Sequence, residues 1–279
     1  MLFCILIGRQ ELGETGMQIK LIIIILINVF NINSISRLDW DKNYFENNFL
    51  VKEIKNIFDL NLEIFSKDSL KILALTLPIY FTSKTMDQDM HKCFYKRANH
   101  ENINQPSKSV CNFVHNSFIP VLVGTTAISL FSSNEHLRQT GEVYLAGVLS
   151  IWGAKNIIKN GLELDCCKRP WNKHFDKHKQ AYGGFPSGHI AEAVFFAGLY
   201  GSHFGIKVGA PLFAYTGVLW GLSLACNRHY FSQLVFGTIL GSVYACAATK
   251  LVDKRLTDKL AFSISNSSGN TNLSCSYTF

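Results

Sequence analysis

The chain has 279 residues, of which 48% are hydrophobic and only 17% are charged, and its formal net charge is +7. So little charge is unusual for a soluble protein and favours a membrane protein. Because motifs of nucleic-acid-binding modules are missing from the sequence, we expect no nucleic-acid partner. The eight cysteines show no metal-ligand spacing and no disulfide framework. Cys226 and Cys246 are therefore interpreted as small core residues.

The first 34 residues are interpreted as a signal peptide or a membrane anchor. Met17 is a candidate start, because Lys20 and the apolar run at 21–27 resemble the basic and apolar parts of a signal peptide. An uncleaved anchor over residues 18–33 is the alternative.

Residues 35–114 are predicted to be an N-terminal region with a short apolar helix and polar loops. The spacing of apolar residues predicts a helix over 51–65. The apolar run 70–81 is short and contains Pro78, so a short span, a re-entrant segment and an interfacial helix all fit it. The charged segment 84–115 carries no motif and is interpreted as a solvated connector.

Five apolar segments with few charges follow, each about 15–20 residues long, which is close to the length that crosses a bilayer. They are residues 118–131, 143–158, 190–204, 208–226 and 234–248. Their many glycine, alanine and serine residues suit close packing of helices in a membrane. The sequence thus predicts an all-α fold, a polytopic membrane helix bundle with about five to six spans.

The tail, residues 251–279, begins with basic residues and then changes character. Apolar and polar residues alternate over 260–265 and 272–279, on either side of residues 267–270. This alternation predicts a β-hairpin, and a disordered tail is the alternative.

Counting membrane crossings brings three polar segments to one membrane face: residues 168–170, 187–189 and His229. Ser187 suits a helix N-cap, where free backbone amides attract anions. This combination of two histidines with cations suits phosphoryl transfer through a phosphohistidine. One imidazole attacks phosphorus and the other protonates the leaving oxygen. Lysine and arginine supply the positive charge, so we expect neither a metal nor another cofactor.

These segments resemble the type-2 phosphatidic acid phosphatase superfamily, which includes lipid phosphate phosphatases, bacterial acid phosphatases and vanadium haloperoxidases. The run Phe185-Pro186-Ser187-Gly188-His189 matches the family pattern in full. Lys168-Arg169-Pro170 matches the Arg-Pro element, and the run from His229 to Gly237 matches the last element. The resemblance covers about residues 115–250, which we take as the phosphatase-like helical domain.

The resemblance implies a role for each matching residue. His229 corresponds to the nucleophile and His189 to the general acid. Arg169, Ser187 and the Gly188 amide correspond to phosphate ligands. The implied activity is metal-independent hydrolysis of a lipid or isoprenoid phosphate, at a site on a membrane face at the end of the helix bundle.

Two family cations are displaced in this chain. The position of the family lysine is Leu162, and Lys159 is the nearest candidate to replace it, with Lys155 a weaker one. The position of the second family arginine is Ser223. Arg228 adjoins the nucleophile but points elsewhere if the backbone there is helical, and Lys168 adds a further charge nearby.

The family aspartate, four residues after the nucleophile, is Gln233. Its carbonyl can accept a hydrogen bond from the His229 ring, but without a negative charge. A catalytically impaired relative that binds phosphorylated lipid or a protein partner is therefore the alternative to an active phosphatase. A haloperoxidase-like activity is less compatible with a membrane protein.

The orientation in the membrane depends on residues 70–81. If they do not span the membrane, the site faces away from the cytoplasm, and if they do, it faces inward. The basic tail and the family arrangement favour an outward site. The Ile-, Asn- and Lys-rich composition and the signal-like start favour a bacterial source, so we expect an inner membrane protein whose site faces the periplasm.

Overall fold

The structure is a computed structural model that describes residues 49–161, 167–173, 175–258, 260–267 and 270–277. The predicted signal peptide or anchor at 1–34 and the position of Leu162 lie outside the described residues.

Within the described ranges the chain forms nine α-helices and two pairs of antiparallel strands. The helices are α1 Phe49–Glu63, α2 Lys67–Thr85, α3 Asp87–Lys92, α4 Lys108–Leu130, α5 Glu135–Gly161, α6 Lys177–Tyr182, α7 Gly188–Phe204, α8 Ile206–Ala225 and α9 Phe231–Asp258. The strands are β1 Tyr95–Lys96, β2 Glu101–Asn102, β3 Leu260–Ser267 and β4 Asn270–Tyr277. Helices dominate the fold, which confirms the predicted all-α class.

Helix α7 lies at the centre of the bundle, where it packs against α5, α8 and α9. Eleven of its 17 residues are buried. Phe195, fully buried in α7, stacks on Tyr144 of α5 with ring centroids 5.5 Å apart and meets Tyr244 of α9 edge-on. An all-round apolar sequence suits this central place, because a helix that is surrounded by others has no polar face to present.

Glycines let α9 approach α7 closely. A methyl group at Gly241 would collide with the carbonyl oxygen of Ala191, and one at Gly237 would lie 2.8 Å from the carbonyl oxygen of Ser187. Small residues are the usual means by which membrane helices bring their backbones together. Because Gly237 faces the turn that opens α7, the same packing determines where α9 begins relative to that turn.

Within the residues that the structure describes, three helices are long and apolar enough to cross a membrane: α4, α8 and most of α9, Phe231–Thr257. Large apolar side chains are exposed on α4 and α8, among them Ile128 and Val218. Exposed apolar surface of this kind suits contact with lipid. The predicted segments 143–158 and 190–204 form parts of α5 and α7, and the total of five to six spans stays a prediction.

The N-terminal region is more ordered than the sequence indicated. The helix predicted over 51–65 is confirmed as α1, and α2 continues through Pro78 and packs against α9. The interpretation of 84–115 as a solvated connector is wrong. It contains α3, the β1–β2 pair and the first turns of α4. Acidic residues in the first turn of α3 and basic ones in its last turn complement the helix dipole.

Cys111 and Cys226 form a disulfide, with Cα atoms 5.7 Å apart. The bond joins the first turn of α4 to the end of α8. The expectation of no disulfide is therefore wrong, whereas Cys226 is buried in the core as predicted. The two cysteines are separated by 115 residues, so their spacing carries no signal, and only the packing of α4 beside α8 brings them together.

The C-terminal part forms the predicted hairpin, in which β3 and β4 pair from Leu260↔Tyr277 to Ser267↔Asn270. Two basic residues of α9, Lys250 and Arg255, have partners in the N-terminal helices. Lys250 Nζ lies 2.5 Å from the Asp68 carboxylate, and Arg255 donates to the side-chain oxygen of Asn56 at 2.8 Å.

We expect Gly241→Ala to lower the free energy of unfolding by about 1–3 kcal/mol, because the added methyl group forces α9 away from α7. The measurement is thermal unfolding in detergent. Gly217→Ala on α8 is the matched control, since a methyl group there meets nothing within 4 Å. Gly217→Ala should leave the free energy of unfolding unchanged or raise it by about 0.5–1 kcal/mol. Equal stability of the two variants would contradict the packing argument.

Candidate active site

The turn that opens α7 holds a buried hydroxyl group. Ser187 occupies the N-cap position and its backbone carbonyl accepts the first helical bond, from the Ala191 amide at 3.0 Å. Its side chain is fully buried and makes no capping bond. Among the residues that the structure describes, Ser187 Oγ has no hydrogen-bond partner. The hydroxyl is thus left to bind something other than the helix.

His229 lies in the turn between α8 and α9 and is 5% exposed. Its Nδ1 lies 2.7 Å from the carbonyl oxygen of Gly184. Because a carbonyl oxygen only accepts, Nδ1 carries the ring proton and Nε2 keeps a lone pair. The backbone of Gly184 thus orients the imidazole, which is the role that the sequence analysis offered to Gln233.

Gln233 instead fastens the turn that carries His229. Its Oε1 accepts a hydrogen bond from the Tyr230 amide at 3.1 Å, and its Nε2 donates to the carbonyl oxygen of Lys168 at 2.6 Å. The side chain of Lys168 is exposed, so this residue supports the site through its backbone. Gln233 and Lys168, two of the three predicted supporting residues, thus connect the start of α9 to the segment before Arg169.

Arg169 carries a second unsatisfied donor. Its Nη1 donates to the carbonyl oxygen of Arg228 at 2.8 Å, and its guanidinium lies 4.8 Å from the centre of the Phe175 ring. Its Nε is buried and has no partner within the described part of the chain. Burial, and then the charge of Arg228, lowers the pKa of Arg169 to about 10, so the guanidinium is charged at neutral pH.

Arg228 does not replace the missing family arginine. Its Nη2 donates to the carbonyl oxygen of Cys111 at 2.7 Å, which directs the guanidinium towards the first turn of α4. Ser223, at the family position, is buried and accepts a backbone bond from Arg228. Arg228 therefore acts on the site through its carbonyl group and its charge on Arg169.

Lys159, near the end of α5, reaches the turn before α7. Its Nζ donates to the carbonyl oxygen of Gly183 at 3.0 Å. Burial is the main reason that its pKa falls to about 7, and the charges of Arg169 and Lys155 lower it further. This lysine is the predicted substitute for Leu162, and the structure brings it to the site.

Three of the predicted site residues act on His229 through their charges. Burial is the largest cause that lowers its pKa well below the usual value, followed by Arg169, Lys159 and His189. A buried imidazole among cations stays neutral at neutral pH, as a nucleophile must. His189 itself is half-buried, with its ring edge-on to Phe118 at a centroid distance of 5.0 Å.

Asp87 is a supporting residue that the sequence analysis missed. Its two carboxylate oxygens accept hydrogen bonds from the amide of Ser232 at 2.8 Å and from its hydroxyl at 2.6 Å. Asp87 thus caps α9 from another helix, three residues after His229. Together with His91, Asp87 also lines a small cleft beside His229. Asp87 is one of many charged residues in its segment, so the sequence carried no signal that its partner is the distant Ser232.

We expect Asp87→Ala to destabilise the protein by about 0.5–2 kcal/mol, the usual effect of losing a helix cap. Thermal unfolding in detergent measures it. Asp89→Ala on the same helix is the control, because the Asp89 carboxylate is 80% exposed and pairs only locally, with Lys92. The capping role is wrong if both variants unfold at the same temperature.

Comparison with protein families gives one result: the model of the PAP2 superfamily matches residues 143–257. Comparison with curated proteins and with solved structures gives no match. The family match confirms the resemblance seen in the sequence and indicates a phosphatase-type hydrolase. The part of the chain that the family model matches, residues 143–257, holds both histidines and the cations around them, and this part is similar to the PAP2 superfamily.

Proposed function

We propose that this protein is a membrane phosphatase that hydrolyses a phosphomonoester or diphosphate of a lipid or isoprenoid through a phosphohistidine. The observation that carries the proposal is the pair of unsatisfied buried donors, Ser187 Oγ and Arg169 Nε. Each such group costs about 1–3 kcal/mol when nothing accepts its hydrogen bond. A bound phosphate supplies acceptors for both.

In the proposed reaction, Nε2 of His229 attacks phosphorus and the bond from phosphorus to the leaving oxygen breaks. Protonated His189 gives its proton to that oxygen, so the alcohol leaves neutral. Neutral His189 then takes a proton from water as the water oxygen attacks phosphorus. The bond from phosphorus to Nε2 of His229 breaks, and inorganic phosphate is released. Arg169, Lys159 and Ser187, with the amide of Gly188, hold the other phosphate oxygens.

The carbonyl group of Gly184 takes the place of the family aspartate in this reaction. It accepts the Nδ1 proton of His229 at 2.7 Å and so favours the positive charge that develops on the ring. A carbonyl dipole stabilises that charge less than a carboxylate does. We therefore propose slower turnover than an aspartate would allow.

Replacing Gln233 by the aspartate of the family would not by itself recreate the family site. The amide of Gln233 donates to the carbonyl oxygen of Lys168 at 2.6 Å. A carboxylate at this position cannot donate and would face that oxygen with a negative charge. The present site depends on a glutamine here.

Purified protein in detergent should release phosphate from at least one of phosphatidic acid, phosphatidylglycerol phosphate and undecaprenyl diphosphate. His229→Ala should abolish the release, since no nucleophile remains. His189→Ala should slow it by about 10²–10⁴-fold, the usual contribution of a general acid. A chelator should leave the rate unchanged.

If folded protein releases no more phosphate than His229→Ala, the proposed hydrolysis is wrong. That result would favour the alternative, a relative that binds phosphorylated lipid or a protein partner. The replacements Ser223 and Gln233 are the observation behind this alternative. Both side-chain positions serve the fold of the turn, since Ser223 is buried and Gln233 bonds to the backbone groups of Tyr230 and Lys168.

We further propose that the site opens on the periplasmic side of a bacterial inner membrane. Cys226 lies three residues before His229, and the carbonyl oxygen of Cys111 accepts a hydrogen bond from Arg228, so the disulfide lies at the same end of the bundle as the site. Structural disulfides persist in oxidising compartments such as the periplasm. This supports the outward orientation over the inward one.

Labelling of intact cells tests this orientation. Cys93 is a free, exposed cysteine two residues after His91, which lines the cleft beside His229. A membrane-impermeant maleimide should label it from outside, and Cys93→Ser should remove that label. Cys111 and Cys226 should react only after an impermeant reductant is added. Labelling of Cys93 that requires lysed cells would show that the site faces inward.

A further inference from the structure

A buried ion pair between α5 and α7 lies next to the proposed phosphate site and has no role in the reaction described above. Lys155 Nζ lies 3.4 Å from Glu192 Oε1, and the two side chains are 18% and 7% exposed. Glu192 is the one acidic residue in the sequence of α7. Removing such a pair from water costs free energy unless its charges have further partners. The cationic site beside it can provide such a partner when an anion is bound.

Lys155 lies directly against the start of α7. A methyl group built at Gly188 would overlap the aliphatic part of the Lys155 side chain and lie 3.0 Å from Nζ. The missing side chain of Gly188 thus makes room for the Lys155 side chain as well as for an anion. The ammonium group of Lys155 thus lies beside Gly188, the residue after Ser187, whose hydroxyl has no partner in the described part of the chain.

Lys155 and Lys159 lie four residues apart on one face of α5. Burial lowers the pKa of Lys159 most, and the charges of Arg169 and Lys155 lower it further. Cys167 and Glu192 raise it. Cations this close repel one another in a site with little water. Glu192 supplies the opposing negative charge, and it lies one helical turn beyond Gly188, on the side of α7 that faces Lys155.

We propose that Lys155 is a phosphate-binding cation at the start of α7 and that Glu192 is the positioning residue that holds its ammonium group there. This inference rests on the proposed function, because it adds a ligand to the same phosphate site. Lysine has three N–H donors, so the bond to Glu192 leaves donors for a phosphate oxygen. In this chain two lysines of α5 thus supply the positive charge that the family lysine would provide at the position of Leu162.

The test measures binding of inorganic phosphate and of sulfate to purified protein in detergent, by the rise in unfolding temperature with anion concentration. Lys155→Met keeps the apolar part of the side chain over Gly188 and should weaken binding of both anions at least tenfold. Lys155→Arg should restore most of the affinity. Lys52→Met is the matched control, because it removes the comparable Lys52–Glu142 pair of α1 and α5, and it should bind as the wild type does.

The role of Glu192 is tested by the pH dependence of sulfate binding, since sulfate itself does not titrate near neutral pH. Binding should weaken as pH rises through about 7, where Lys159 loses its charge. Glu192→Gln removes a negative charge and should move this midpoint to lower pH. Lys155→Met removes a positive charge and should move it to higher pH. A merely structural effect would not shift the midpoint in opposite directions, and Glu142→Gln should leave it unchanged.

These measurements need no turnover, so they separate the two proposals. If Lys155→Met binds both anions as tightly as the wild type, the inference is wrong, whether or not the protein hydrolyses phosphate esters. If the midpoint does not move in Glu192→Gln, the positioning role is wrong. If the variants behave as expected but no phosphate is released, the inference stands and the hydrolysis is wrong. If the wild type binds neither anion, both are wrong.

Discussion

The hydrogen bond from Nδ1 of His229 to the carbonyl oxygen of Gly184 connects the start of α9 to the turn that opens α7, and the geometry of the site depends on it. It can form because Gly237 lets α9 approach the backbone of Ser187. The bond fixes which ring nitrogen carries the proton. The packing of two helices therefore decides the chemical state of the imidazole, with no charged partner at Nδ1.

Electrostatic balance is the second constraint on the site. Several cations and two unsatisfied donors lie in a region with little water, which is unfavourable for the empty protein. Glu192 offsets part of this repulsion, and a neutral His229 avoids adding to it. The same arrangement favours a bound dianion, because phosphate supplies the negative charge and the acceptors that the protein lacks. An anion that binds here therefore also relieves the repulsion between the cations.

The N-terminal region holds the site from the outside. Asp87 caps α9, and the Cys111–Cys226 disulfide joins α4 to the turn before His229. Each contact joins residues more than 100 positions apart in the chain. These contacts restrain the short turn between α8 and α9. The turn lies outside both helices, so helical hydrogen bonds do not hold it in one conformation.

The sequence by itself determined the helical class and the helices from 118 onwards, because apolar periodicity is a local property, and its short motifs predicted that Ser187, Gly188, His189 and His229 share one site. The tertiary structure decided what Gln233 does, which carbonyl orients His229, and that Asp87, Glu192 and the two distant cysteines belong to the same end of the bundle. Those assignments depend on contacts between remote segments and on the space that glycines leave open, and neither is encoded in the spacing of residues along the chain.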